Sequence, residues 1–349
     1  MLAVASRLCG LHAQLMSSAE LTLWARIDSL DRQAVQRALW QDRSLVKTWA
    51  MRGTLNLLPS SELPMWHAAL GTSPRFLNEA AWKRIGITLD QLDRLTEAIG
   101  GVLDGRIVTR DELAEEVRRI TGSDVLGSHV GQNSWGTMLR PAAFTGRLCF
   151  GPNLGQRVRF THPKTWLAAD AGPVQPDAAA AGITRRFLSA YGPATDRDLA
   201  RWWSGGSGIA TARQWIASLG DDAVPVDIEG TRAWMLASDA RKIRKLHPVQ
   251  SVSLLPGFDQ YVIAASCHAD RLMSAGPRSR VYRPQGWISP VLLVNGFMHG
   301  TWRHAIKGSR VKVTIQPFDK PPAWVRRAAA LEAERLAVFL GCTLDLAKF

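Results

Sequence analysis

Hydrophobic positions along the chain change period several times, and the changes mark its elements. Leu2, Ala5, Leu8 and Leu11 recur at helical spacing. Ser18 is placed to cap a second helix carrying Leu21, Trp24, Ala25 and Ile27, and Asp31 a third with Val35, Ala38 and Leu39 inside. From Val46 to Leu57 the period falls to two, with Gly53 in mid-run where a hairpin or bulge needs it. Three helices and then a β-hairpin is the order of a winged helix. The order returns. Leu89–Leu103 reads as a helix, Thr109 and Glu112 form a capping box opening a second through Val117, and Gln132–Ala142 reads as a third. Strands Arg147–Phe150 and Arg157–Phe160 follow, joined by a turn over Gly151–Gly155. A Pro/Ala/Gly-rich linker, Ala171–Gly182, precedes predicted helices Thr184–Ala190, Asp196–Trp203 (capped by Thr195) and Thr211–Leu219, then strands Val224–Ile228 and Ala233–Leu236. From Ser251 the chain is β-rich. Strands are predicted at Val252–Leu255, Tyr261–Ala264, Trp287–Val294, Met298–Trp302 and Val311–Ile315, with a hairpin turn at Asn295-Gly296. Ala269–Ser279 reads as a mobile loop, and an amphipathic helix closes the chain over Ala323–Leu340.

The pattern predicts an α+β protein: three tandem winged-helix units, a C-terminal β-rich, small barrel-like module and a closing helix. The expected boundaries are 1–72, 73–170 and 183–246 for the winged helices and 247–349 for the last module. The three units differ too much in sequence to count as a repeat; what they share is the order of their elements.

Composition adds a partner. The 349 residues carry 43 Lys plus Arg against 30 Asp plus Glu, a formal charge of +13, and 46% are hydrophobic. That is enough apolar material for proper cores, and the surplus charge favours a polyanion: DNA, RNA or an anionic membrane surface. A basic enzyme with no such partner is the plainer account. The longest apolar stretch, Trp287–Phe297, is broken by Ser289, Pro290 and Asn295, so no spanning helix is predicted. Met1–Arg7 has no basic leader and does not read as a signal peptide. Cys9, Cys149, Cys267 and Cys342 lie far apart, without Cys-x-x-Cys or His pairs at zinc spacing. Buried thiols in a reducing cytoplasm are expected, with no metal and no cofactor.

Seven strings carry a resemblance. They are Gly10-Leu-His-Ala-Gln14, Thr48-Trp-Ala-Met-Arg-Gly-Thr-Leu55, Tyr191-Gly-Pro-Ala-Thr195, Arg201-Trp-Trp-Ser-Gly205, Leu254-Leu-Pro-Gly-Phe-Asp259, Gly286-Trp-Ile-Ser-Pro290 and Gly300-Thr-Trp-Arg303. In this order, from about residue 8 to 342, they resemble the AlkZ-like winged-helix DNA glycosylases. The resemblance implies tandem winged helices wrapped around duplex DNA and a glycosylase that removes cationic N7-alkylpurines. Bulky genotoxin adducts and interstrand cross-links are among the implied lesions, in DNA repair or toxin self-resistance. The family's Gln-x-Gln or Gln-x-Asp motif falls on His12-Ala13-Gln14, with His in place of the first Gln. Family members carry about one more helix ahead of this motif, so a trimmed first unit, or a start further upstream, is expected.

The chemistry suits these residue types. An N7-alkylated purine is already cationic and leaves without a protein acid, so the enzyme mainly positions and activates water. A neutral imidazole, with an unperturbed pKa near 6.5, suits a base at neutral pH, which makes His12 the candidate proton acceptor. The Gln14 carbonyl can orient the same water and face developing positive charge. A one-residue gap does not put two side chains on one face of a helix. The motif is therefore expected at a helix end or in a distorted turn, with Gly10 supplying the distortion. The competing account is a structural histidine.

Lys47 and Arg52 fall on the first predicted wing, Arg140 at the end of the third helix of the second unit, and Arg147, Arg157 and Arg159 on the second wing. These are the candidate phosphate contacts; ordinary solvated strand residues are the alternative. Trp202 and Trp203 read more readily as core than as base-stacking groups, Asp259 and Arg303 as a candidate pair, and Arg241–Lys245 as a basic run or exposed helix end. No Lys adjoins the motif, so a monofunctional enzyme is expected. It would be cytoplasmic, nucleoid-associated and monomeric, with double-stranded DNA as partner and no membrane. A non-enzymatic winged-helix DNA-binding protein, a regulator or architectural factor, stays open as the second function.

Overall fold

A computed structural model describes residues 1–72, 78–132, 136–167, 172–243, 245–273, 276 and 278–347. It is a mixed α+β structure whose residues group into two compact units, one of residues 1, 3–35 and 185–349, the other of 2 and 36–184.

The first unit is built on a curled five-stranded sheet with strand order Thr343–Leu346, Arg310–Pro317, Phe297–Lys307, Val291–Val294, Val252–Leu255. All pairs are antiparallel except Arg310–Pro317 with Thr343–Leu346. Alternation drives it: Val311, Val313 and Ile315 are buried while Lys312 and Gln316 are exposed. The helix Ala323–Leu340 lays Val325, Ala329, Ala333, Leu336 and Ala337 on that face, joined by Leu21 and Trp24 of the helix Met16–Trp24. Asn295 and Gly296 turn the hairpin with φ of 51° and 84°, the left-handed pair a two-residue loop requires.

The same unit holds the helices Asp196–Ser204 and Ile209–Ala217 and the hairpin Ala223–Ile228/Thr231–Leu236. Thr195 caps the first of these reciprocally with Asp198, its Oγ1 accepting from Asp198 N at 3.1 Å. Two expectations fail nearby. Tyr261–Ala264 is not a strand but part of the helix Gln260–Ala264, because Asp259 Oδ1 accepts from Tyr261 N at 2.9 Å and starts a helical turn. The supposed linker is helical from Pro176 onward, in a helix running to Tyr191; its alanine run is good helix material and proline is at home in a first turn. Ala269–Leu272 forms a 3-10 turn, while residues 274, 275 and 277 of the predicted loop, and Ala171 and Arg244, lie outside the described residues.

The second unit carries the antiparallel hairpin Leu45–Trp49/Leu55–Pro59, turned by Met51–Gly53 with Arg52 at φ 59° and Gly53 at φ 70°. Its other sheet has Arg157–Thr161 between Ile107–Thr109 and Cys149–Leu154. Trp49 joins the two through Phe150 (ring centroids 4.8 Å apart) and Phe160 (6.2 Å). The helices Leu89–Leu103 and Arg110–Thr121 start on capping boxes, Thr88 with Gln91 and Thr109 with Glu112. The helix expected over Gln132–Ala142 is absent from the described part of that stretch. A helix ends at Gly131, a turn with Gly136 at φ 72° follows, and a short helix runs Arg140–Phe144; residues 133–135 lie outside the described residues. A Cβ on Gly136 would fall 2.2 Å from the Trp49 ring, so the backbone passes where no helix side chain fits.

The helix Leu63–Gly71 was not anticipated. It carries His67, whose pKa burial, with the nearby charge of His162, pushes down to about 4. Unfolded, this imidazole takes a proton near 6.5. Between those values the unfolded chain binds more protons, so stability is full above pH 6.5 and is lost as the pH falls towards 4. Urea melts at pH 7, 5.5 and 4 should show a loss on the order of 2–3 kcal/mol, which His67→Leu removes. A wild-type loss unchanged in His67→Leu assigns it to other groups.

Candidate active site

The helix Leu2–Arg7 ends abruptly, and its ending sets the candidate motif. Cys9 N donates to Ser6 O (3.0 Å) and Gly10 N to Ala5 O (2.8 Å), closing the helix end with Cys9 at φ 55° and Gly10 at φ 92°. A cysteine in this left-handed conformation is strained where glycine would not be. Leu11 is therefore not on the helix but in a short extended segment, Leu11–His12. A distorted turn over Cys9 and Gly10 thus stands between the helix and the motif. The extended segment ends at His12 and the chain bends at Gln14, so the two side chains differ in exposure.

His12 is buried, with 6% of its surface exposed, and its ring stacks on Phe258 with centroids 4.8 Å apart and planes 13° from parallel. Gln14 is exposed. Phe258 stands at φ 59°, where bulky residues are rarely found, and Trp287 packs edge-on against its ring at 5.1 Å. Sequence reasoning missed both as site residues, although each lies in one of the seven strings.

Two further side chains fix the loop ahead of His12. Tyr191 Oη donates to Leu8 O at 2.6 Å, and the fully buried Gln260 donates from Nε2 to Gly10 O at 2.9 Å. The adjoining Asp259, also fully buried, accepts a two-pronged contact from Arg26 at 2.7 and 2.8 Å. Burial pulls the Arg26 pKa down, but the Asp259 carboxylate outweighs it and leaves the guanidinium above its ordinary value. This corrects the expected Asp259–Arg303 pair: Arg303 is exposed on its strand, and Asp259 is engaged from the N-terminal segment.

The basic candidates are not equivalent. Lys47 is half-buried with its ammonium 5.3 Å from the Phe150 ring, and desolvation lowers its pKa. Arg52 is in the hairpin turn, and a Cβ on Gly53 would come within 3.2 Å of Arg140 Nη1, so Arg140 lies along that turn. Arg140 opens a short helix rather than ending a long one. Arg147 is ion-paired with Glu97, and Arg159 Nε donates to Pro152 O at 2.7 Å; Arg157 is exposed. Trp202 is buried beside Phe187 (5.0 Å) and belongs to the core.

A separate cleft of about 690 Å³ opens between the Tyr191–Asp198 and Tyr261–Leu272 segments. On its wall His268 Nδ1 lies 3.2 Å from Asp198 Oδ1. Burial raises the Asp198 carboxyl, but its bonds with His268 and Thr195 hold it below the usual range. Among the described residues no group of three or more His, Cys, Asp or Glu is placed to hold a metal ion, and no helix is long and apolar enough to cross a membrane.

The family model for AlkZ-like DNA glycosylases matches residues 5–339. An interstrand DNA cross-link repair glycosylase from Streptomyces sahachiroi is 36% identical over 340 residues, covering 96% of this chain and 89% of that protein. The solved structure of the Streptomyces sahachiroi DNA glycosylase AlkZ superimposes with a TM-score of 0.87 at 35% identity, covering 99% of this chain and 92% of that one.

Proposed function

The chain belongs to the AlkZ-like DNA glycosylase family, hydrolases of N-glycosyl bonds, and from that premise we propose that it excises cationic N7-alkylpurines from duplex DNA, bulky adducts and interstrand cross-links included. One observation carries the reading: a buried imidazole, ring-stacked on Phe258 and set two residues before the exposed Gln14. The relative named as a cross-link repair glycosylase supports the lesion class.

In the proposed reaction the alkylated base is already cationic. As the C1′–N9 bond breaks, its electron pair passes to the ring and the base departs neutral. Positive charge builds on the sugar, water adds at C1′, and the water's proton passes to neutral His12. The Gln14 carbonyl orients that water and faces the sugar's developing charge. The stack on Phe258 and the two clamped carbonyls keep the imidazole from adjusting during the step, the preorganisation such a step needs. Lys47, Arg52, Arg140, Arg147, Arg157 and Arg159 would contact phosphates, Arg147 after release from Glu97. The division into three winged helices and a β-rich module belongs to the same reading.

Purified protein, incubated with duplexes carrying N7-methylguanine or a nitrogen-mustard cross-link, should generate alkali-labile abasic sites. Binding should weaken steeply with salt. Intact strands from both duplexes, despite salt-sensitive binding, would remove this substrate assignment.

A further inference from the structure

We propose that Trp287 is the stacking platform for a planar aromatic ring of the alkylated nucleotide, so that the lesion is recognised by its flat, electron-poor face. The proposal rests on the glycosylase reading and names the group that would select its substrate.

Trp287 follows a tight turn. Tyr282 and Ile288 bridge, Arg283 N donates to Trp287 O at 2.8 Å, Ser289 N donates to Val281 O at 2.9 Å, and Gln285 and Gly286 take φ of 59° and 75°. The turn is tied at its base, yet the indole it presents is 47% exposed. Trp302, a packing tryptophan of the same unit, is 3% exposed with its Nε1 bonded to Leu255 O at 2.7 Å. Among the described residues the ring packed against Trp287 is Phe258, which also stacks on His12. The two loops meet through backbone: a Cβ on Gly257 would lie 3.0 Å from Ile288 O.

Three separate loops thus place non-glycine residues in left-handed backbone, at Cys9, Phe258 and Gln285, and together they build one row of rings ending in a half-exposed indole. Strain of this kind persists where surrounding structure enforces it and concentrates at functional sites. The ring at the open end is the type that stacks best on a base and binds cations best on its face. An N7-alkylated purine is both flat and cationic; a normal base is flat and neutral.

The test uses full-length wild type, Trp287→Ala and Trp287→Phe. Affinity is measured by anisotropy for undamaged duplex, duplex with N7-methylguanine, and duplex with an N7 adduct bearing a flat polycyclic substituent. A base analogue, 2-aminopurine, in each duplex reports stacking by quenching, and single-turnover release is followed in parallel. Trp287→Ala should lose about tenfold in lesion affinity, with quenching reduced, undamaged-duplex affinity unchanged and melting temperature close to wild type. Trp287→Phe should recover most of the loss. A loss confined to the polycyclic adduct places the substituent, rather than the purine, on the indole. Lesion affinity within twofold of wild type in Trp287→Ala, or equal loss on all three duplexes, overturns the proposal. Wild type that binds lesions selectively but releases no base would defeat the glycosylase reading while the binding arms still decide Trp287.

Discussion

His12→Ala is expected to slow base release from N7-methylguanine duplex by about 10²- to 10⁴-fold, the span of a positioned proton acceptor. Duplex affinity should stay within a few-fold of wild type, because phosphate contacts elsewhere dominate it. The informative partner is His12→Gln, which installs the glutamine that the family resemblance implies at this position. Glutamine can orient water but cannot take its proton, so this variant should keep measurable release and lose the acid limb of the pH–rate profile. Wild type should slow on acidification, since only neutral imidazole accepts a proton. Gln14→Ala should cost about 10²-fold, the size seen when one polar group aimed at developing charge is removed. Full activity in His12→Ala, or an acid limb that survives in His12→Gln, would assign the chemistry to other groups.

The second large effect is on stability. Asp259→Ala should destabilise its unit by about 3–5 kcal/mol, because it strands the Arg26 guanidinium in a site where burial already disfavours charge. At about 2–4 °C per kcal/mol the melting temperature should fall by roughly 10 °C. Arg26→Ala should do at least as much, leaving a fully buried carboxylate with its cap to Tyr261 but no counter-ion. Replacing both at once, with Arg26→Met and Asp259→Leu, should recover much of the loss, since apolar pairs of similar volume often substitute for buried ion pairs. A double variant no better than the sum of the singles would mean that the geometry of the pair, not its charge, holds Gln260 in place.

What the chain reveals by itself is mostly local. Leu89–Leu103 and Ala323–Leu340 come out of periodicity with the observed ends, and the box at Thr109, the cap at Thr195 and the Asn295-Gly296 turn come out of side-chain chemistry. The failures share a cause. Tyr261–Ala264 is a short apolar run, which periodicity assigns to strand or helix equally well, and one hydrogen bond donated by Tyr261 N to Asp259 decides it. Leu11 continues a helical pattern that the turn at Cys9 and Gly10 cuts short.

The candidate site was legible in one part only. His12 and Gln14 entered through resemblance, not periodicity. Gln260, Tyr191 and Arg26 have roles fixed by partners 250, 183 and 233 residues away, a separation at which spacing carries no information. Phe258 and Trp287 left a trace as members of quoted strings, but nothing in those strings says that their rings would line up on His12.

The two carbonyl clamps also order events in time. Leu8 and Gly10 leave the ribosome early, while Gln260 follows 250 residues later, so a growing chain displays the His-x-Gln segment long before the second clamp can form. A chain cut anywhere before about residue 260 would keep both motif residues and still lack the grip on Gly10. The capacity to create abasic sites should then appear only in chains that extend past Gln260, where the grip on Gly10 exists.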